Sequence, residues 1–363
     1  MNDFSGNKNK LRNVKAVILV GGPGTRLQPL TDNIPKSLVP VLNRPFMEHT
    51  LAYLKHYGIE DIILTLNYLP ETIVEYFGDG SRAGVNLGYY IEEEPLGTAG
   101  AVKNAEDCLD NTFVVLNGDI FSDINLADMV AYHRQNNAVT TISLNWVDDP
   151  SAFGVVETDD TGRVRRFIEK PPADEATTNW INAGIYVLEP DVLKYVPART
   201  HYMVERGLFP HLVESGERVF GYPFKGYWMD TGTLEYYHSL NCDLLLSKTG
   251  SPLVGNLDVN RVYYGPDIDA DPSARITPPA VIGNGCRLGP GVRITGPVVI
   301  GPGSVLDEGA SVENAVIWDN VKIGAETRLS RCIISSGTEI APDSDIADCA
   351  VTPSKTKPMF LRM

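Results

Sequence analysis

Residues 17–31 read VILVGGPGTRLQPLT, with three glycines, a proline and an arginine directly behind a short apolar run. Such a glycine-rich loop is either a plain tight turn or a place where main-chain N–H donors approach a phosphate. Pro23 has no N–H and only shapes the loop. Arg26 adds a planar cation able to hold phosphate oxygens bidentately. The two common phosphate fingerprints do not fit. A P-loop needs Gly-Lys-Ser/Thr, and neither Lys-Ser nor Lys-Thr follows directly on these glycines. A dinucleotide loop needs a third glycine where Leu27 stands.

Further candidates follow along the chain. Lys36, bracketed by prolines in IPKSLVPV, offers a second cation for phosphate, although most lysines are simply solvated. Asp119 in NGDIFSD closes the apolar run 113–116; Asn-Gly-Asp is also ordinary turn chemistry. A carboxylate beside phosphates is repelled unless Mg²⁺ lies between them, and Mg²⁺ typically takes one or two protein carboxylates with substrate phosphates. Asp230 in KGYWMDTGT is either a second such carboxylate or the cap of a helix beginning near Thr233. Glu169 and Lys170 in RFIEKPP end a strand, and Asn182 in WINAGIYVL places an amide inside an apolar strand. That amide needs a partner, for which a sugar hydroxyl is one candidate. In EEEPLGTAGAV, Thr98 reads as a helix cap, or the segment is an edge on which a base and ribose rest.

The elements that position these residues alternate strand and helix from residue 15 to about 246. AVILV, DIILTL, LGYYIEE and FVVLNGD are strands; PFMEHTLAYLKHYG, residues 70–77 and TAGAVKNAEDCL are helical. The alternation predicts an α/β domain with a Rossmann-like, mostly parallel sheet and helices on both faces. Ligands of such sheets bind at the carboxyl ends of the strands, where the unusual residues fall.

After about residue 262 an aliphatic residue recurs every six positions: Ile282, Leu288, Ile294, Ile300, Leu306 and Val312. The register slips by one to Ile317, Ile323 and Leu329, and again to Ile334, Ile340 and Ile346. That period predicts a C-terminal left-handed parallel β-helix of hexapeptide repeats, whereas a β-sandwich would show period two. The expected division is a mobile segment over 1–14, a catalytic domain over 15–246, a linker over 247–262, the β-helix over 263–352 and a tail over 353–363.

Composition narrows the partners. The chain has 363 residues and a net charge of −15, which argues against a broad nucleic-acid surface but not against small anionic substrates. Five scattered cysteines without a C-x-x-C pair read as a reduced, cytoplasmic protein without a thiolate zinc site. No signal peptide or membrane span is expected. All six histidines precede the repeats, so a histidine base for acyl transfer is missing there. The exposed ends and flat sides of a β-helix favour self-association, hence a homo-oligomer.

Taken in order, GGPGTRLQPLT, PKSLVPV, EPLGTAGA, NGD, FGVVE, IEKP, INAGIYVL and GYWMDTGT resemble the sugar-phosphate nucleotidyltransferases, with LVGGPGTRL, EEEPLGTAGA and GYWMDTG nearest to the mannose-1-phosphate guanylyltransferase group. The resemblance implies that an NTP and a sugar 1-phosphate give an NDP-sugar and pyrophosphate, with GTP and mannose 1-phosphate favoured and Mg²⁺ as cofactor. It places Gly21 and Gly22 against base and ribose, and Gly24, Thr25, Arg26 and Lys36 on the triphosphate. Glu94 and Gly97 would frame the base, and Asp119 and Asp230 would bind the metal. Lys170 would hold the sugar phosphate, with Gly154, Glu169, Asn182 and Gly184 lining the sugar. One departure concerns YMVERGLFPHLVE, where many guanylyltransferases carry a Ser-Ile-Glu-Lys-Glu-like run that Glu205-Arg206 only partly match. Two rivals stand beside this reading: a glucose-1-phosphate thymidylyl-, uridylyl- or adenylyltransferase, and a non-catalytic regulatory subunit sharing both domains. The latter typically loses the charged residues, whereas Arg26, Lys36, Asp119, Lys170 and Asp230 are all present.

Overall fold

The computed structural model describes residues 10–172, 175–249 and 257–359. Residues 1–9 of the expected N-terminal segment, 250–256 of the expected linker and 360–363 of the expected tail lie outside the described residues. The chain packs as two compact units that interleave in sequence. One contains the chain up to Gly22 and Thr50–Trp228; the other contains Pro23–His49 and the chain from Met229 on.

The first unit is built on a mixed, mainly parallel sheet. Its parallel half comprises β1 (Lys15–Val20), β2 (Asp61–Leu66), β3 (Asn86–Ile91) and β4 (Phe113–Asn117), ordered β3-β2-β1-β4. Val17 stands opposite Ile63 on one side and Val115 on the other. All three are buried, as the near-continuous apolar runs of interior parallel strands require. The other half turns antiparallel. Strand β5 (Thr140–Trp146) and strand β8 (Trp180–Leu188) pair antiparallel, β8 runs antiparallel to β4, and β6 (Gly154–Thr158) with β7 (Val164–Glu169) extends the edge as a hairpin-like pair. Strand β9 (Val219–Pro223) lies parallel to β5. Connecting helices include Pro70–Phe77, Gly97–Asn104 and Leu126–Gln135; Asn125 caps the last by accepting from the N–H groups of Ala127 and Asp128.

In the second unit the six-residue period becomes three ladders of stacked aliphatics. Ile276, Ile294, Val312, Leu329 and Ile346 form one. Ile282, Ile300, Ile317, Ile334 and Val351 form another, and Leu288, Leu306, Ile323 and Ile340 the third. The ladders stay in register through both slips, because each slip shortens a turn between flat sides and leaves the strands unchanged. All strand pairs between coils are parallel until the last. Thr356–Pro358 reverses at the Thr352–Lys355 turn and pairs antiparallel with Cys349–Val351.

Segment Pro23–His49 belongs with these coils by its hydrogen bonds. Asn43 donates its amide to the Ile300 carbonyl at 2.8 Å. The Leu42 N–H donates to Asn241 Oδ1 at 2.9 Å. The buried Tyr237 hydroxyl donates to the Pro40 carbonyl and accepts from Trp318 Nε1 at 2.9 Å. Among the described residues, no helix is long and apolar enough to cross a membrane.

Candidate active site

In the first unit, four parallel strands end at one edge, and two of the positions singled out from sequence, Gly21 and Asp119, follow such strand ends. Gly21 follows β1, Asn67 follows β2, Glu92 follows β3, and Gly118-Asp119 follow β4. A Cβ on Gly21 would lie 3.5 Å from Asn67 Cβ and 3.9 Å from Glu92 Oε1, and one on Gly22 would meet nothing within 4 Å. The edge is thus open over Gly22 and polar along its rim, the crevice location typical of open α/β sheets.

Glu92 is the residue that sequence reasoning missed here. Its carboxylate is buried and accepts the Leu96 N–H at 2.8 Å, and burial pushes its pKa above the ordinary carboxylate range, partly offset by that bond. Glu94, two positions on, is exposed and makes no side-chain hydrogen bond or ion pair among the described residues. Gly97 opens its helix at φ 72°, and a Cβ there would stand 2.8 Å from the Tyr202 carbonyl oxygen. Thr98 is not the cap of that helix, which begins at Gly97 after Leu96. Its hydroxyl instead donates to Glu205 Oε2 at 2.9 Å and accepts the Val204 N–H at 2.8 Å.

A second cluster in the same unit gathers Gly154, Glu169, Lys170, Asn182, Gly184 and Glu205. Lys170 Nζ lies 3.7 Å from Glu169 Oε1, with the lysine largely exposed and the glutamate mostly covered. A Cβ on Gly154 would fall 2.8 Å from the Phe167 ring and 2.9 Å from Glu169 Oε2, so glycine is what lets this carboxylate lie flat on β6. The Asn182 amide has partners within the protein. It donates to Tyr186 Oη at 2.9 Å, and its oxygen accepts the Gly184 N–H at 3.0 Å across a bulge in β8. Glu205 sits on a π-turn, Val204–Leu208, a local distortion that recurs at functional sites. Burial and then the nearby Glu169 charge raise its pKa, while Thr98 and Lys170 oppose the shift. Glu205 enters this cluster only through the fold, because its partner Thr98 is 107 positions away.

The raised Glu205 pKa gives a testable pH dependence. A carboxyl that holds its proton more tightly when folded contributes stability below the ordinary value of 4.5, and that contribution is lost as pH rises through the folded pKa. Glu205→Gln, whose amide oxygen keeps an acceptor for Thr98, is therefore expected to gain stability relative to the parent as pH rises from about 4.5 to neutrality. Thermal melts of both proteins across that range read the difference, and a constant difference would refute it.

In the second unit, Gly24 adopts φ 63° ahead of the 3₁₀ turn Thr25–Leu27. Its carbonyl accepts the Leu27 N–H at 2.9 Å and the Thr31 hydroxyl at 2.8 Å, which closes the loop on itself. Lys36 packs its Cβ 3.3 Å from the position of a Gly24 Cβ. Arg26 is exposed, with Nη2 3.7 Å from Asp230 Oδ2. A Cβ on Gly232 would come within 2.5 Å of that same Nη2, so the guanidinium lies on the glycine. Asp230 does not cap the following helix; Thr233 does, accepting the Tyr236 N–H at 3.2 Å.

Histidine chemistry is directed elsewhere. His133 is buried between Thr141 and Glu189, His49 binds the Val41 carbonyl and His238 binds the Asn314 carbonyl, and burial lowers the pKa of all three. Among the described residues no group of three or more His, Cys, Asp or Glu side chains is gathered to hold a metal.

The fold and the motif set coincide with a known family. Residues 15–247 match the nucleotidyl transferase family model, and the chain belongs to that family. Residues 259–356 match a second model, the GMPPB C-terminal domain. The mannose-1-phosphate guanylyltransferase of Mycobacterium tuberculosis is 38% identical over 321 residues, covering 88% of this chain and 83% of that one. A UTP–glucose-1-phosphate uridylyltransferase of Synechocystis is 34% identical over 365 residues, 94% of either chain. Among solved structures, HddC of Yersinia pseudotuberculosis superposes with a TM-score of 0.56 at 29% identity, covering 63% of this chain and 98% of that one. Nucleotidyl transfer to a sugar 1-phosphate, the reaction class expected from the motifs, is the chemistry of this family's members found here.

Proposed function

We propose that this protein is a mannose-1-phosphate guanylyltransferase, converting GTP and mannose 1-phosphate to GDP-mannose and pyrophosphate. The observation that carries the reading is the cluster around Lys170, where one exposed cation stands beside Glu169 and near Glu205. A cation for a phosphate, with carboxylates that accept hydroxyl hydrogens, is the donor and acceptor set a sugar phosphate asks for. The guanylyl and mannosyl assignments draw support from the Mycobacterium tuberculosis relative, which spans both domains.

In this reading Lys170 holds the sugar phosphate, and Gly154, Glu169, Asn182 and Gly184 line the sugar. Gly21 and Gly22 leave room for base and ribose, with Glu94 and Gly97 framing the base. Gly24, Thr25, Arg26 and Lys36 take the triphosphate. The attacking oxygen is already anionic at neutral pH, so it displaces pyrophosphate from the α-phosphorus without a general base. The remaining barrier is the approach of two polyanions in line, which fixed cations lower. This accounts for a chain that supplies Arg and Lys to the reaction and keeps its buried histidines in structural contacts.

Asp119 and Asp230 are the proposed metal-binding carboxylates. Their hard oxygen donors suit Mg²⁺, and the absence of a three-residue protein cage among the described residues agrees with an ion that completes its shell from substrate phosphates and water. When bound, Mg²⁺ would offset triphosphate charge.

Pyrophosphate release tests the assignment, with Mg²⁺ and GTP, UTP, dTTP, ATP or CTP crossed with mannose 1-phosphate and glucose 1-phosphate. Preference for GTP with mannose 1-phosphate is expected. Preference for any other pair, such as UTP, dTTP or ATP with glucose 1-phosphate, would overturn the specificity and keep the reaction class. Silence from folded protein would favour the regulatory-subunit alternative.

A further inference from the structure

The last strand of the β-helix reaches the loop that carries Arg26. Lys355 Nζ pairs with Asp32 Oδ2 at 2.6 Å, and Lys357 Nζ donates to the Gln28 carbonyl at 3.0 Å. Lys357 lies in the strand Thr356–Pro358, and Lys355 closes the turn directly before it. They are aimed by the reversal at Thr352–Lys355, where the Thr352 N–H donates to the Lys355 carbonyl at 2.8 Å. Their targets bracket the outgoing half of the loop: Gln28 follows directly on the Thr25–Leu27 turn, and Asp32 follows Thr31, whose hydroxyl binds back to Gly24.

We propose that Lys355 and Lys357 are positioning residues for triphosphate binding, making the C-terminal strand a clamp that sets the loop bearing Arg26. The proposal rests on the reading of Arg26 as a triphosphate contact. Two effects combine in it. Arg26 is exposed and its ion pair with Asp230 is long at 3.7 Å, so the backbone beneath it decides where its guanidinium stands. Small displacements of a charged contact cost large factors in rate. Lys355 also neutralises Asp32, a carboxylate on the same short loop that would otherwise repel a polyanion. As an exposed ion pair, Lys355–Asp32 adds little to global stability, so its cost falls on binding.

The test uses the full chain and steady-state pyrophosphate release. In Lys355→Met/Lys357→Met the KM for the NTP is expected to rise about 10-fold. The KM for the sugar 1-phosphate should stay within about 2-fold and the melting temperature within a few degrees. Lys355→Arg/Lys357→Arg should restore the NTP KM. Asp32→Asn should recover part of the loss in Lys355→Met, because it removes the uncompensated charge. An active parent whose double methionine variant keeps its NTP KM overturns the clamp alone. A parallel rise of both KM values with a lowered melting temperature also overturns it, showing a merely structural contact. Full activity in Arg26→Ala, or a parent silent with every substrate pair, overturns the triphosphate reading and the clamp with it.

Discussion

Lys170→Ala is expected to lower kcat/KM for the sugar 1-phosphate by about 10²–10³-fold, the usual loss when a fixed charge facing a reacting phosphate is removed. Lys170 holds φ 50° at the end of β7, so its side chain leaves the strand in a direction an extended residue would not give. Its ion pair with Glu169 spans 3.7 Å and its side chain is 58% exposed, so the charge is available to a ligand. Removing it takes away a cation and leaves Glu169 and Glu205 as neighbouring carboxylates near an incoming dianion. The loss should fall mainly on the sugar 1-phosphate, with the NTP KM little changed, and Lys170→Arg should recover only part, since a fork cannot replace a point charge at one geometry. Melting should be close to the parent's, because the residue is exposed. Steady-state kinetics with each substrate varied in turn provides the check, and an unaltered kcat/KM would remove Lys170 from the site.

Ile317→Ala is the second large effect, expected on stability at about 2–5 kcal/mol. Ile317 is fully buried and stacked between Ile300 and Ile334, with both neighbours equally buried. In a repeat array each coil touches only its neighbours, so the cavity cannot be filled from elsewhere and two interfaces lose contacts at once. Ile346 supplies the control: it ends its own ladder on Leu329 and is half-buried, and Ile346→Ala should cost distinctly less. Urea or thermal unfolding of the two variants separates them, and equal losses would contradict the ladder account.

Much of this fold was legible because its signals are periodic or continuous. The buried runs of β1, β2 and β4 read directly as interior parallel strands, and the aliphatic period survived two slips, since a slip shortens a turn without changing which residue faces inward. The antiparallel half was not legible, because β8 is as uniformly apolar as a parallel strand and its direction is set by the chain's return path. The glycine-rich loop stood out because its residues adjoin one another directly behind β1, whereas the approach of Gly232 to Arg26, far apart in sequence, needed the fold. Glu92 was missed because three consecutive glutamates look alike in one dimension. The signal that separates them is position: only Glu92 follows β3 directly, at the edge shared with Gly21. Glu205 was noted only as a partial motif match, and its bond to Thr98 needed the fold. Asn182 finds partners in Tyr186 and Gly184 that sequence does not show, and these bonds use one of its two amide hydrogens.

The interleaving of the two units bears on how such chains are inherited. Asn43 and the Ile300 carbonyl it binds are 257 positions apart, and Leu42 and Asn241 are 199 apart. A genetic exchange that swapped the repeats at a breakpoint near residue 246 would deliver foreign coils to a resident segment Pro23–His49, which keeps Arg26, Lys36 and the Leu42–Asn241 bond but loses the coils around Ile300 and Lys355 to which it was fitted. Descent should therefore hold the glycine-rich loop and the distant coils together as one heritable block, so that substitutions in segment 23–49 track substitutions in the repeats more closely than those in the intervening sheet.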